Sequence, residues 1–345
     1  MVGRGLRPVL AGRDGDRLRL VASEFSDLEV ATADVRDPES VSRLLRFGDV
    51  LVSTVGPFSR LGHPAIRAAI EAGAIYLDST AEPSFIRRVF EEYGPVAERN
   101  GASLLTAFGC DYLPGNLAGA WAINDAGIRV VRVEVGYFIT GGGFGQGFSR
   151  GTLRSGIESV TEPVFSWQNG LRGEQAGLRM RRFTIGGKHR PALSIRGTEQ
   201  YALPRLSRGI REVDVYLGWF GAATTPLHWT ARLRDRTSWL PDIGPVVARL
   251  GGAISRFVPA EPNAALLSRA TSQVVAEAFS ADGALLADCR FTAPEPYLLT
   301  ADLLAWGAGR AAEQGVSGVG ALGPVEAFGL EALTEGAVSC GLVRM

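Results

Sequence analysis

The sequence predicts an α/β fold, a doubly wound parallel sheet followed by a second, mixed α+β domain, on three observations. Short apolar runs recur at βαβ spacing through roughly the first hundred residues. The segments between them carry helix start and stop signals. Near residue 127 the apolar pattern changes to strict alternation, the period of a strand. The chain has 345 residues and 46% hydrophobic content, which at about 150 residues per domain is enough for two ordinary cores and excludes a disordered chain.

The runs are 7–11 (RPVLA), 28–32 (LEVAT), 50–55 (VLVSTV), 74–78 (AIYLD) and 102–106 (ASLLT). Continuous apolar stretches of this length are what parallel strands covered on both faces require. Ahead of them, Val2-Gly3-Arg4-Gly5 reads as the tail of a helix and the turn into a strand. Asp37 is placed as an N-cap with Pro38 at the first helical position, Pro64 opens the next helix, and Gly73 and Gly101 close helices. From 131 to 137, three valines and Tyr137 alternate with Arg132, Glu134 and Gly136, which predicts a strand with one buried and one wet face. Residues 272–291 hold two strand-like runs around Asp282-Gly283, a hairpin signal, and helical patterns follow at 298–313 and 324–336. The expected domains are 1–126 for the parallel sheet, 127–297 for the mixed α+β domain that handles substrate, and 298–345 for C-terminal helices packing back on the first domain.

Charge narrows the function. Lys plus Arg and Asp plus Glu both total 36, so no global basic field draws in nucleic acid or an anionic membrane, and a small-molecule partner is expected. The only lysine is Lys188, in the turn Gly186-Gly187-Lys188-His189, and Thr184 stands four residues before it, so a YxxxK proton-transfer pair is excluded. Cys110, Cys289 and Cys340 and His63, His189 and His228 lie far apart without metal-ligand spacing, so no metal site is expected. Sparse cysteine and no apolar leader fit a reducing cytoplasm. The most apolar stretch, 239–259, carries Asp242, Arg249 and Arg256 and is read as a core or pocket helix, with peripheral membrane contact as the alternative.

In a doubly wound sheet the ligand binds outside the carboxyl ends of the strands. After the first run come Gly12 and Arg13, where a dinucleotide site places an acid for NAD and an arginine for the 2′-phosphate of NADP, so NADP is the expected cofactor. The alternative for Arg13 is a solvated loop arginine. Asp34, past the second run, is placed to accept from the adenine amino group or to hold its own turn. The third run ends in Thr54-Val55-Gly56-Pro57-Phe58, where the glycine lets a dinucleotide approach the backbone and the proline sets the turn. A glycine fingerprint that opens a pyrophosphate-facing helix does not precede residue 7. The literal GxGxxG at 318–323 follows a helical pattern and is read as a loop, and the run 141–147 is a glycine-rich connection or a segment near the cleft.

Three stretches, LVSTVGPF (51–58), AAIEAGAIYLDSTAE (68–82) and FGCDYLPGNLA (108–118), resemble the NADP-binding domain of the saccharopine dehydrogenase-like family, which includes bacterial trans-acting enoyl reductases. The middle stretch departs from the family pattern at Ala69, where the family has cysteine, and at Ala81, where it has glycine. The resemblance implies a Rossmann-like doubly wound domain binding NADP, joined to a mixed α+β domain that supplies the substrate cleft and the contact of a homo-oligomer, typically a dimer. It also implies that the first β-α unit, with the glycine turn, is missing here, so that either the start lies upstream of Met1 or this form binds cofactor poorly.

For catalysis the resemblance places Asp111 near the nicotinamide, to orient substrate or relay a proton; its alternative is a cap for the helix beginning near Pro114. Tyr112 is the candidate proton donor, or a packing residue. Cys110 is a poor nucleophile, with no histidine near it in sequence. Glu82 and Arg150 are placed to meet a polar substrate group, or to be solvated. The expected activity is NADP-dependent hydride transfer to an activated C=C or C=O bond, on a lipid or polyketide-like substrate. The alternative is a non-catalytic scaffold or regulatory protein that keeps the fold.

Overall fold

The computed structural model describes residues 1–25, 28–140, 164–168, 171–175, 179–219, 221, 224–225, 228–229, 271–293 and 295–345. The glycine-rich run 141–147, Arg150 and the apolar stretch 239–259 lie outside the described residues.

In chain order the strands are β1 (Leu10–Gly12), β2 (Val30–Thr32), β3 (Val50–Ser53), β4 (Ile75–Asp78), β5 (Ser103–Leu105), β6 (Arg132–Thr140), β7 (Val164–Gln168), β8 (Leu171–Gln175), β9 (Met180–Ile185), β10 (Lys188–Ile195), β11 (Glu212–Leu217), β12 (Thr271–Phe279), β13 (Leu285–Ala293), β14 (Gly320–Ala321) and β15 (Val343–Arg344). The α-helices are α1 (Gly15–Ser23), α2 (Pro38–Ser42), α3 (Phe58–Leu61), α4 (His63–Ala72), α5 (Pro83–Arg88), α6 (Gly94–Asn100), α7 (Leu113–Ala126), α8 (Glu199–Leu206), α9 (Pro296–Gln314), α10 (Pro324–Phe328) and α11 (Leu330–Ser339). The chain forms two compact units: Met1–Thr80, Ser84–Gly109 and Thr300–Gly329 in one, and Ala81–Pro83, Cys110–Leu299 and Leu330–Met345 in the other.

The first unit is the parallel, doubly wound part. β1 pairs with β2, and β3, β4, β5 and β14 form a second sheet in that order, every pair parallel. Parallel neighbours need crossovers, and α1 supplies the one from β1 to β2, α4 the one from β3 to β4, and α5 and α6 the one from β4 to β5. Gly73 and Gly101 take positive φ (64° and 71°) as helix C-caps, as expected. Ala33 and Val41 pack on Ala68 of α4, with Val35, Leu44 and Leu45 beside them, which ties the β2–α2 segment to the helix after β3. Phe108 lies stacked with Trp306, ring centroids 6.5 Å apart, and edge-on to Phe328 at 5.7 Å, so Thr300–Gly329 completes this unit's core, whereas Leu330–Met345, expected to pack here as well, belongs to the other unit. Two details differ from expectation. Gly320 and Ala321, inside the run read as a loop, add a parallel strand to β5. The single helix expected over 324–336 is two, α10 and α11, parted at Gly329 (φ 78°), a backbone conformation that ends a helix.

In the second unit one sheet runs β15-β13-β12-β6-β11-β10-β9, with β7 pairing β11 and β8. The hairpin expected at Asp282-Gly283 is β12–β13, with Gly283 at φ 86°. β6 is central, antiparallel to β12 and parallel to β11, and the wet face expected for it is absent. Its Glu134 is buried because Arg132 reaches it at 2.6 Å and Arg181 pairs with both it and Glu277. Further along that face Phe138, Phe183 and Tyr216 pack edge to face at 5.6 Å. Against the other face lies α7, apolar almost all round and almost wholly buried, as a helix covered on all sides must be. Removing a ring from this aromatic cluster leaves a cavity, so Phe138→Ala is expected to lower unfolding free energy by about 3–5 kcal/mol, read as a fall in the urea midpoint by circular dichroism.

Candidate functional site

The first unit contributes strand tips. Gly12 and Arg13 follow β1, and Arg13 is exposed. Asp14 is committed to the fold, its carboxylate accepting from Arg17 N at 3.0 Å as the cap of α1. Asp34 likewise serves its own turn: its carboxylate accepts from Arg36 N at 2.9 Å, and Ser40 Oγ accepts from its amide at 2.9 Å. Beyond β3, Thr54, Val55, Gly56 and Pro57 are all exposed, the Gly56–Pro57 peptide is cis, and Phe58 turns inward against Phe85. The loop thus offers bare backbone at a carboxyl tip.

One acid that sequence reasoning did not treat as a site residue organises the next two tips. Asp78, fully buried at the end of β4, accepts from Thr80 N at 2.9 Å, Thr106 Oγ1 at 2.8 Å and Ala107 N at 2.9 Å, so it binds the loop after β4 to the loop after β5. Burial lifts its carboxyl from 3.8 to about 6, against the opposing pull of those hydrogen bonds. The Tyr76-x-Asp78 spacing was the available signal for it.

The second unit contributes a cavity between α7, β6 and the β12–β13 hairpin, walled by Cys110, Pro114, Phe138, Ile139 and Phe291, with Asp111 and Tyr137 as its ionisable groups. Burial among these walls pushes the Asp111 carboxyl from 3.8 up to about 6. Burial also drives the Cys110 thiol far up, and its Sγ lies 3.8 Å from Ser272 Oγ, so it is no nucleophile at neutral pH. Tyr112 is 3% exposed with φ 73°, a conformation rare outside glycine, and its ring stands edge-on to Tyr137 at 6.2 Å. Glu82 is buried in the second unit, and Arg150 is outside the described residues.

The residue missed altogether is Glu199, fully buried at the start of α8. Its Oε1 accepts from the Tyr137 hydroxyl at 2.5 Å. Burial raises its carboxyl from 4.5 to about 8, partly countered by that hydrogen bond, with the nearby Asp111 raising it further. No motif marks it, because its neighbours come from β6 and α7, far away in sequence. A second hollow, lined by Arg132, Arg179, Arg181, Tyr216 and His228, is less promising for an anion, since its three guanidiniums already pair with Glu134, Asp214 and Glu277.

Residues 4–105 match the family model described as saccharopine dehydrogenase NADP binding domain. A trans-acting enoyl reductase of Mycobacterium ulcerans is 35% identical over 115 residues, 32% of this chain and 28% of the relative. A putative trans-acting enoyl reductase of Mycobacterium tuberculosis is 32% identical over 174 residues, 46% of this chain and 39% of the relative. A lipid droplet localized protein of Caenorhabditis elegans is 26% identical over 197 residues, 55% of this chain and 46% of the relative. The chain therefore spans less than half the length of each of these relatives. Among solved structures, apo saccharopine dehydrogenase (L-Glu forming) from Saccharomyces cerevisiae superposes with a TM-score of 0.55 at 14% identity, covering 98% of this chain and 93% of that one, a likeness of fold.

The donor set fits one end of the cofactor this family binds. Exposed Arg13 at the tip of β1 suits a ribose 2′-phosphate, and the open Thr54–Pro57 backbone suits close approach by a nucleotide. The pyrophosphate end is not matched: it belongs on a glycine turn next to β1, and among the described strands β1 pairs only with β2, and β3 only with β4.

Two measurements follow. Asp78→Ala strips three buried donors of their acceptor and is expected to cost about 3 kcal/mol or more in chemical denaturation. The raised carboxyls also set a pH dependence. Asp78 and Asp111 keep protons that the unfolded chain releases from about pH 4, and do so up to about 6; Glu199 does so from 4.5 to about 8. The native state binds more protons in these windows, so stability falls as pH rises through them. The thermal midpoint is expected to drop from about pH 5 to about pH 9, and Glu199→Gln to flatten the upper part of that drop.

Proposed function

We propose, from the premise that residues 4–105 belong to the saccharopine dehydrogenase NADP binding domain family, that this chain is an NADP-dependent oxidoreductase acting on an activated C=C or C=O bond. The observation that carries the reading is the exposed Arg13 guanidinium at the carboxyl tip of a parallel strand inside the matched segment. The cofactor, when bound, supplies hydride. The protein's own work is to grip the adenosine phosphate with Arg13, to present the Thr54–Phe58 loop to the nucleotide, and to deliver a proton from Asp111, with Tyr112 fixing the start of α7 beside it. A lipid or polyketide-like substrate is favoured, by the apolar walls around Asp111 and by the names of the enoyl reductase and lipid droplet relatives. The second reading is a scaffold that keeps the fold without turnover.

Calorimetric titration with NADPH and NADH separates the two. The enzyme reading expects NADPH to bind more tightly than NADH, and Arg13→Ala to weaken NADPH about tenfold while leaving NADH unchanged, the loss of one charge-assisted phosphate contact. Binding of neither nucleotide decides for the scaffold.

A further inference from the structure

In the first unit, the ring of His63 joins the turn after β3 to a second, distant turn. The Thr54–Pro57 loop is exposed, and a tight junction follows it. Pro57 O accepts from Arg60 N and Leu61 N at 3.1 and 2.9 Å, Phe58 packs on Phe85, and α3 runs through Gly62 straight into α4. A Cβ at Gly62 would lie 2.8 Å from the Phe85 ring and 2.9 Å from Phe58 O, so the junction closes only on glycine. His63, half-buried and first in α4, then reaches back. Its Nε2 lies 2.9 Å from Ser59 O of α3, and its Nδ1 lies 3.1 Å from the hydroxyl of buried Tyr93. Tyr93 ends the π-helical turn Val89–Tyr93, which continues α5.

Nε2 has a second neighbour, Arg88 Nη1 at 3.1 Å, and the two contacts exclude one another. A neutral imidazole nitrogen either donates to the Ser59 carbonyl or accepts from the guanidinium. Arg88 has a carboxylate of its own, Glu92 at 3.3 Å. Ser59 O belongs to a four-residue helix, too short to give its last carbonyls donors from within. The tautomer with its proton on Nε2 therefore serves more groups: Nε2–H donates to Ser59 O, the Tyr93 hydroxyl donates to Nδ1, and Arg88 keeps Glu92.

We propose that His63 is a positioning residue for the nucleotide. Through its Nε2–H it pins Ser59, and with it the Thr54–Phe58 loop, to Tyr93, so the loop backbone holds its shape before a nucleotide arrives. A loop ordered in advance does not charge its ordering to the binding step. The use of the loop rests on the oxidoreductase reading, but its anchoring by His63 does not.

Two substitutions separate the ring's contacts, since glutamine carries its amide nitrogen near the place of Nε2 and asparagine near that of Nδ1. The test is hydrogen exchange across residues 54–62 of the ligand-free full chain, read by mass spectrometry, beside calorimetric titration with NADPH. His63→Gln keeps the bond to Ser59 O and is expected to leave exchange and affinity within about twofold of the parent. His63→Asn keeps only the Tyr93 contact and is expected to speed exchange and weaken NADPH by about fivefold each, the worth of one hydrogen bond. Nitrogen NMR of the ring, told apart from His189 and His228 by its loss in His63→Gln, is expected to show the proton on Nε2. Equal behaviour of the two variants, or a ring with its proton on Nδ1 alone, overturns the inference. If neither variant folds, the near-isosteric Tyr93→Phe carries the test: exchange across 54–62 is expected to rise about threefold, and no change overturns it. Exchange that splits as expected in a chain that binds no NADPH sinks the oxidoreductase reading alone.

Discussion

Covering β6 on both faces is the constraint on which the second unit depends. A central strand with Glu134 on it can be buried only if guanidiniums come with it, and Arg132 and Arg181 are brought there by β6 itself and by β9. A buried carboxylate without such partners costs several kcal/mol. On the opposite face the same burial forces α7 down onto the sheet, close enough that Gly115 has no space for a side chain against Tyr137, while Gly119 has none against Leu203 of α8. The cavity holding Asp111 is what remains between helix and strands once these close approaches are made.

Burial produces different chemistry at each carboxyl because the hydrogen-bond supply differs. Glu134 is surrounded by cations and serves as an ion-pair centre. Asp78 receives three neutral donors, and these limit how far burial can raise it, so it works as a clamp between two loops. Glu199 receives one hydroxyl and faces another acid, so burial prevails and the group favours its protonated form. The strongest chemical asymmetry in the unit comes from how many donors the fold lets reach each acid.

The first unit owes its legibility to local rules. Strands β2 to β5 each lie within the apolar run that marked them, β1 overruns its run by Gly12 alone, and the helix punctuation at Pro38, Gly73 and Gly101 acts through backbone geometry a residue or two away. The exposed positions of Arg13 and Thr54–Pro57 follow from the same logic, since residues just past parallel strands lie at the sheet's carboxyl edge. The alternation in 131–137 was misread as half-wet because alternation reports which residues share a face, and what covers that face is decided by other segments.

What the sequence by itself determined is the succession of strands β1 to β5 with helices between them, the parallel character of the first unit, the hairpin at Asp282-Gly283 and the residues at the strand tips, because periodicity and turn chemistry act over a few neighbouring residues. What only the tertiary structure decided is which acids are charged and which carry protons. Glu199 meets Tyr137 across 62 positions and Asp78 meets Ala107 across 29, and no local pattern encodes an environment assembled from such separations.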